Sequence, residues 1–317
     1  MDNQAQSIGS KLLTKNYLVT GGAGFIGTNL VKRLLSDGHK VRVLDNYSAG
    51  KKEDRLQTDA EYIEGDIRNM DDVEKAMQGI DGVFHMAAVP RVPYSVEHPQ
   101  ETNEVNITGT LNVLIGARDN GVKRLIFSTS SSIYGGDKGK VSLTEDMKFE
   151  PKSPYALQKV AGQEYCRLFS ELYGFETVAL CYYNIYGQYM DPEGAYALVM
   201  GKFLRQRSNN EPMTICGDGE YYRDYTHVDD VVEANVLAMQ SEKVGKGENI
   251  NIGNNNPCSV NQLAKLIGGE SITIDERLGD VRYSRANNEK AKELLGWEPK
   301  ISLEDGIKTM KEIWKLN

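Results

Sequence analysis

From Asn16 to about Tyr183 the chain alternates short apolar, β-branched runs with helix-length amphipathic stretches. The runs are YLVT, VRVLD, EYIEGD, GVFHMAA, RLIFSTS and ETVALCYY. Such alternation predicts βαβ units, and therefore a parallel sheet covered by helices on both faces. Helix punctuation agrees: LLSDGHK stops one helix at Gly38 and ARDNGVK another at Gly121. After Tyr183 the rhythm fails. Turn-rich CGDGEYY and NIGNNNPCS separate shorter helical patterns at 228–240 and 302–315. The pattern predicts an α/β fold, a doubly wound parallel sheet with a smaller mixed α/β domain capping its open edge, where ligands of such sheets bind. The expected divisions are a polar tail over 1–15, a sheet domain over 16–187 that a segment near 225–250 rejoins, and a smaller domain from 188–224 and 251–317.

Composition narrows the partners. With 37 Lys and Arg against 45 Asp and Glu, the formal net charge is -8, which argues against nucleic acid or an anionic membrane held by the overall field. An anionic ligand must then meet a local group of arginines. No stretch approaches the roughly 20 apolar residues of a membrane span and the N-terminus lacks a signal-peptide core, so a cytoplasmic protein is expected. The four cysteines (Cys166, Cys181, Cys216, Cys258) show no C-x-x-C spacing and the four histidines are scattered; they read as buried thiols in a reducing compartment, with no metal site.

YLVTGGAGFIGTNLVKRLL places Gly21, Gly24 and Gly27 between a strand and a helix. Glycine there permits a tight turn, close approach of backbone to a pyrophosphate, and a helix N-terminus facing the anion. Asp45 closes VRVLD, where a carboxylate accepts hydrogen bonds from adenosine ribose hydroxyls and repels a 2′-phosphate, favouring NAD over NADP. Asp66 and Ile67 in GDIRN follow the third strand; Asp66 is read either as an adenine contact or as a helix cap, and Ile67 as a flanking apolar group. SPYALQK puts Tyr155 and Lys159 four residues apart on one helical face. A free tyrosine titrates near about 10, so a base at neutral pH needs nearby positive charge, which Lys159 and an oxidised nicotinamide can supply.

GGAGFIG, Asp45-Asn46, GDIR, HMAA, Asn106, SSSIYG and YALQK together resemble the extended short-chain dehydrogenase/reductase family, and within it the nucleotide-sugar epimerases; the similarity runs from about Asn16 to Trp297. The resemblance implies a Rossmann domain, tightly held NAD and a nucleotide-sugar-binding smaller domain. It implies cofactor contacts from Gly21, Gly24, Phe25, Ile26 and Gly27, from Asp45, Asn46, Ser48 and Gly50, from Asp66 and Ile67, and from Met86, Ala87 and Ala88. Asn106, Tyr155, Lys159 and Tyr183 complete that set, Tyr183 lying by the nicotinamide. It also implies catalysis by Tyr155, Lys159 and Ser130, the last ending RLIFSTS, with Ser131 and Ser132 lining the sugar. This accounts for a serine string set against a buried strand. Asn184, Leu198, Val199, Arg223, Arg277 and Asp280 are the implied contacts of the UDP part, while Arg282 and Arg285 are as readily surface residues.

The same resemblance bears on the reaction. Relatives that dehydrate the sugar carry Asp-Glu where Ser131 and Ser132 stand, and decarboxylating ones carry a glutamate there; neither acid is present. Ser284 stands where strict glucose/galactose epimerases have a tyrosine, leaving room for a 2-acetamido group. Pro93 stands where uronate-handling relatives tend to have an arginine, although Arg91 is nearby. The expected activity is 4-epimerisation, UDP-N-acetylglucosamine to UDP-N-acetylgalactosamine, with the glucose and glucuronate pairs as alternatives and a homodimer as the expected assembly.

Overall fold

A computed structural model describes residues 13–135, 138–191, 198–276 and 281–316. Six strands follow the predicted runs: β1 (Asn16–Thr20), β2 (Lys40–Asp45), β3 (Glu61–Glu64), β4 (Gly82–His85), β5 (Arg124–Ser130) and β6 (Glu176–Tyr182); a seventh, β7 (Lys246–Ile252), joins from far along the chain. All pair in parallel in the order β7-β6-β5-β4-β1-β2-β3. The order reverses between β1 and β4, which opens a crevice at their carboxyl ends.

Helices α1 (Phe25–Ser36), α2 (Met70–Met77), α3 (Thr110–Asp119), α4 (Pro154–Tyr173), α5 (Val199–Ser208), α6 (Val228–Gln240), α7 (Val260–Ile267), α8 (Glu289–Leu295) and α9 (Leu303–Ile313) account for most of the rest. The ends are chemically marked. Ser153 caps α4 by accepting from the Ala156 N–H, Pro154 occupies the first turn, and Gly174 closes the helix in the left-handed region at φ 65°. Ser259 and Gln262 form a reciprocal capping box at α7.

Two apolar layers sandwich the sheet. On one face Leu30, Val31 and Leu34 of α1 pack with Val228, Val231 and Val232 of α6 and with Leu295 and Trp297. On the other, Val73 of α2, Val113 and Leu114 of α3, and Cys166 and Phe169 of α4 close over Leu18, Leu125 and Phe127. Both faces are covered, as near-continuous apolar strands require. Residues 289–297 thus pack on the sheet although they follow the smaller domain in sequence. That domain has its own core, including Phe203, Leu204, Met213, Ile215, Leu263, Ile267, Ile307 and Met310. In it Met213–Cys216 pairs in parallel with Ser271–Ile274.

Candidate active site

The loop between β1 and α1 leaves no room for side chains. Gly21 has φ 70°, and a Cβ there would lie 2.7 Å from the Ala87 nitrogen; at Gly27 it would lie 2.3 Å from the Gly21 oxygen. The helix therefore presses its first turn directly onto the loop. Gly24 precedes α1 with no side-chain cap, and no acid stands in the first turn, so the positive end of the helix, with Phe25 and Ile26, suits a pyrophosphate.

Asp45 accepts from the Ala23 N–H at 3.0 Å and the Tyr47 N–H at 2.8 Å, stapling the glycine loop to the turn that carries Asn46, Ser48 and Gly50. Asn46 accepts from the Ser48 N–H and donates to Asp66. Asp66 is not the cap of α2; Asn69 is. A double hydrogen bond from Arg68 draws the Asp66 pKa down to about 2, with Asn46 helping. Ile67 turns its side chain toward the core and seats against Gly109.

Beneath the loops runs a buried polar chain. Thr20 Oγ1 lies 2.7 Å from His85 Nδ1, and His85 Nε2 lies 3.0 Å from Thr110 Oγ1. Thr110 donates to the Asn106 carbonyl, so its oxygen is left to accept from Nε2–H, and Nδ1 then accepts from Thr20. Burial drives the His85 pKa down to about 3, and Lys159 adds to the effect, so the ring is neutral. Asn106 lies on a π-helical turn at Glu104–Gly109, the kind of irregularity that recurs at functional sites. Its amide exchanges hydrogen bonds with both backbone groups of Val89 and donates to Gln158 of α4 at 2.8 Å. Asn106 thus fixes the loop that follows β4 through Met86, Ala87 and Ala88, where Ala87 N–H reaches the Thr20 hydroxyl at 3.3 Å.

Tyr155 and Lys159 lie side by side on α4, both nearly inaccessible. Lys159 Nζ donates to the Ser128 carbonyl at 2.8 Å and stands 5.9 Å from the Tyr155 ring centroid. Desolvation pushes Tyr155 up to about 12 and Lys159 down to about 8, while a hydrogen bond with Ser130 pulls Tyr155 the other way. Ser132 explains the direction of that bond. Its N–H and hydroxyl both approach Ser130 Oγ, at 3.3 and 3.1 Å. A hydroxyl has two lone pairs and one proton; with both lone pairs filled, the Ser130 proton is left for the phenol oxygen.

On the smaller-domain side, Asn184 sits at φ 33° and donates to the Asp224 carbonyl at 3.1 Å. Arg223 Nη1 donates to the Val281 and Tyr222 carbonyls, and the Ser284 N–H donates to Tyr222 at 3.1 Å, so Arg223 and Ser284 share one ribbon. Val199 opens α5 and Leu198, just before it, is exposed. Arg277 and Asp280 lie outside the described residues. Arg282 pairs with Asp218 and Glu276, and Arg285 donates to Asn255, as exposed surface groups.

Three placements go beyond the sequence reading. Tyr183 is fully buried among Ile133, Tyr134 and Ala286. The preceding Tyr182 places its hydroxyl 3.9 Å from Met86 Sδ and 3.0 Å from Asn235 Oδ1. Asp224 is a hub: fully buried, its two oxygens accept from the N–H groups of Asn254, Asn255 and Ala286. Strand alternation along β6, which puts Val178, Leu180 and Tyr182 on one face, could have pointed to Tyr182; nothing local marks Asp224 beyond its place beside Arg223.

This geometry defines an NAD-binding α/β enzyme with a tyrosine–lysine–serine group at the crevice. The sequence matches the NAD dependent epimerase/dehydratase family over residues 17–253, and the chain belongs to that family and uses NAD. It is 36% identical over 314 residues to a UDP-glucose 4-epimerase of Mycolicibacterium smegmatis, covering 94% of this chain and 98% of the other. The solved UDP-glucose 4-epimerase of Thermotoga maritima with UDP-glucose superposes with a TM-score of 0.89 at 41% identity, covering 95% and 98% of the two chains. A UDP-N-acetylglucosamine 4-epimerase of Methanobrevibacter ruminantium in complex with UDP-N-acetylmuramic acid gives 0.88 at 34%, covering 95% and 100%.

Proposed function

We propose that this enzyme interconverts UDP-N-acetylglucosamine and UDP-N-acetylgalactosamine by epimerisation at C4. UDP-sugar 4-epimerisation is the activity its named relatives share. Bound NAD supplies a reversible hydride acceptor for C4. The chain's own task is the proton: Tyr155, with the Ser130 proton aimed at its oxygen and the Lys159 cation beside the ring, takes the proton of the 4-hydroxyl and returns it after the sugar has turned. The serines at 131 and 132 support epimerisation over elimination, since no acid stands there to move protons on the carbon skeleton. Asn184 and Arg223 are assigned to the diphosphate, and the smaller domain of 188–224 and 251–317, apart from the sheet-packed 289–297, to the nucleotide sugar.

The observation that carries the choice of sugar is Ser284. It is half-buried on the same ribbon as Arg223, and a side chain this small leaves space for an acetamido group. The test is NMR of the purified protein with UDP-N-acetylglucosamine, following the anomeric signals. Appearance of the 4-epimer is expected, Tyr155→Phe should abolish it, and Ser284→Tyr should remove it while sparing UDP-glucose. Turnover of UDP-glucose or UDP-glucuronate alone would overturn the sugar assignment.

We further propose a homodimer in the cytoplasm. Val96 of the short helix Val92–Glu97 and Leu157 and Leu172 of α4 are more than half exposed, which suits pairing of the helices that carry Asn106 and Tyr155. All four cysteines are free, as a reducing compartment allows. Among the described residues no helix is long and apolar enough to cross a membrane.

A further inference from the structure

The chain leaving β6 travels far. β6 and β2 are separated by β5, β4 and β1, four strand positions, about 19 Å at roughly 4.8 Å per strand. Yet residues 187–191 meet groups from the β1 and β2 side. Asn29, in the second turn of α1, donates to the Gln188 carbonyl at 3.0 Å and to Phe25 at 2.9 Å. Arg55, ten residues beyond Asp45 and only 5% exposed, donates to the Tyr189 carbonyl at 2.7 Å. Lys32 stands 5.4 Å from the Tyr189 ring centroid, and Arg91 lies 3.9 Å from Asp191.

The clasped segment is not in a relaxed conformation. Tyr189 has φ 69° and Asn184, five residues earlier, φ 33°. At Gly187, φ is 143° and a Cβ would lie 2.5 Å from Val228. Non-glycine residues in the left-handed region cost on the order of 1 kcal/mol or more and persist where the surroundings hold them. Here the holding groups come from the first turns of α1 and from the segment after Asp45, the same two stretches that form the pyrophosphate and ribose ends of the cofactor site.

We propose that Arg55 and Asn29 are positioning residues that fasten the chain after β6 across the carboxyl edge of the sheet, so that retention of NAD and placement of Asn184 depend on one clasp. The role of Asn184 rests on the UDP-sugar reading; the NAD half does not. Arg55→Met keeps length and burial but removes the donors, and Arg55→Lys keeps a charged donor. Release of bound NAD is measured by exchange against its fluorescent ethenoadenine analogue, without sugar substrate. Arg55→Met should release NAD at least tenfold faster, Arg55→Lys less so, and Arg55→Met should raise KM for the UDP-sugar with kcat at saturating NAD little changed.

Release within twofold of the unaltered protein in Arg55→Met would overturn the proposal, including where the urea midpoint of the NAD-free variant falls, since that pattern marks a merely structural residue. Should Arg55→Met not fold, Asn29→Ala reads the same clasp from α1, with accelerated release expected and unchanged release overturning it. Because no sugar enters this assay, a wrong sugar assignment leaves its outcome unaffected.

Discussion

Tyr155 alone is a poor base in this site, because desolvation lifts its phenol to about 12. The Ser130 hydrogen bond offsets that only in part, so the phenolate depends on positive charge beside the ring, which Lys159 at 5.9 Å is placed to supply. Removing Lys159 should therefore lower kcat by roughly 10²-fold or more, the usual span for a positioned proton-transfer group. Since loss of a cation raises the phenol pKa further, the acid limb of the pH–kcat profile of Lys159→Met should move to higher pH, which a rate profile from pH 5 to 10 would read. The part proposed for Ser130 came from the family resemblance, while the shared face of Tyr155 and Lys159 on α4 was legible from helical spacing. The orientation of the Ser130 proton was not, because it depends on two hydrogen bonds from Ser132 that only the folded 3₁₀ turn at Ser131–Tyr134 creates.

At the scale of elements, the buried chain Thr20–His85–Thr110–Asn106 joins β1, β4 and the π turn ahead of α3. Its histidine titrates at about 3 in the fold against an ordinary 6.5. A depressed pKa means stability that is fully present above about 6.5 and is lost as pH falls toward 3, because the unfolded chain takes up the proton first. Urea midpoints at pH 7, 5 and 4 should fall steeply for the unaltered protein and less steeply for His85→Asn, which has no proton to gain. At pH 7 that variant should itself be less stable, by roughly 1–3 kcal/mol if Thr20 or Thr110 loses its partner. The strands and helices around this chain were readable from periodicity, since each run is apolar and several helix ends are marked. The chain itself was not: His85 reads from sequence as one scattered histidine, and pairing β1 with β4 is what brings Thr20 to it. The same limit hid Asp224, whose three backbone partners lie about 30 and 60 residues away.

For the whole molecule, the sequence pattern locates the parallel sheet and the return of a later segment to it, but not how late the last contribution comes. β7 pairs with β6 across more than 60 intervening residues, and Trp297, fully buried, donates its indole N–H to the Asp230 carbonyl within the layer that covers β1. The proposed homodimer belongs to this scale too. Light scattering after gel filtration should give twice the 35.3 kDa chain mass, and Leu157→Glu with Leu172→Glu should give monomers. The late arrival of Trp297 has a consequence for synthesis. A ribosome-bound chain that already displays the whole glycine loop, Asp45 and the Tyr155 helix lacks both the edge strand β7 and the indole that seals the α1–α6 layer. The apolar layer behind the glycine loop is therefore sealed by residues that emerge long after those of the loop itself.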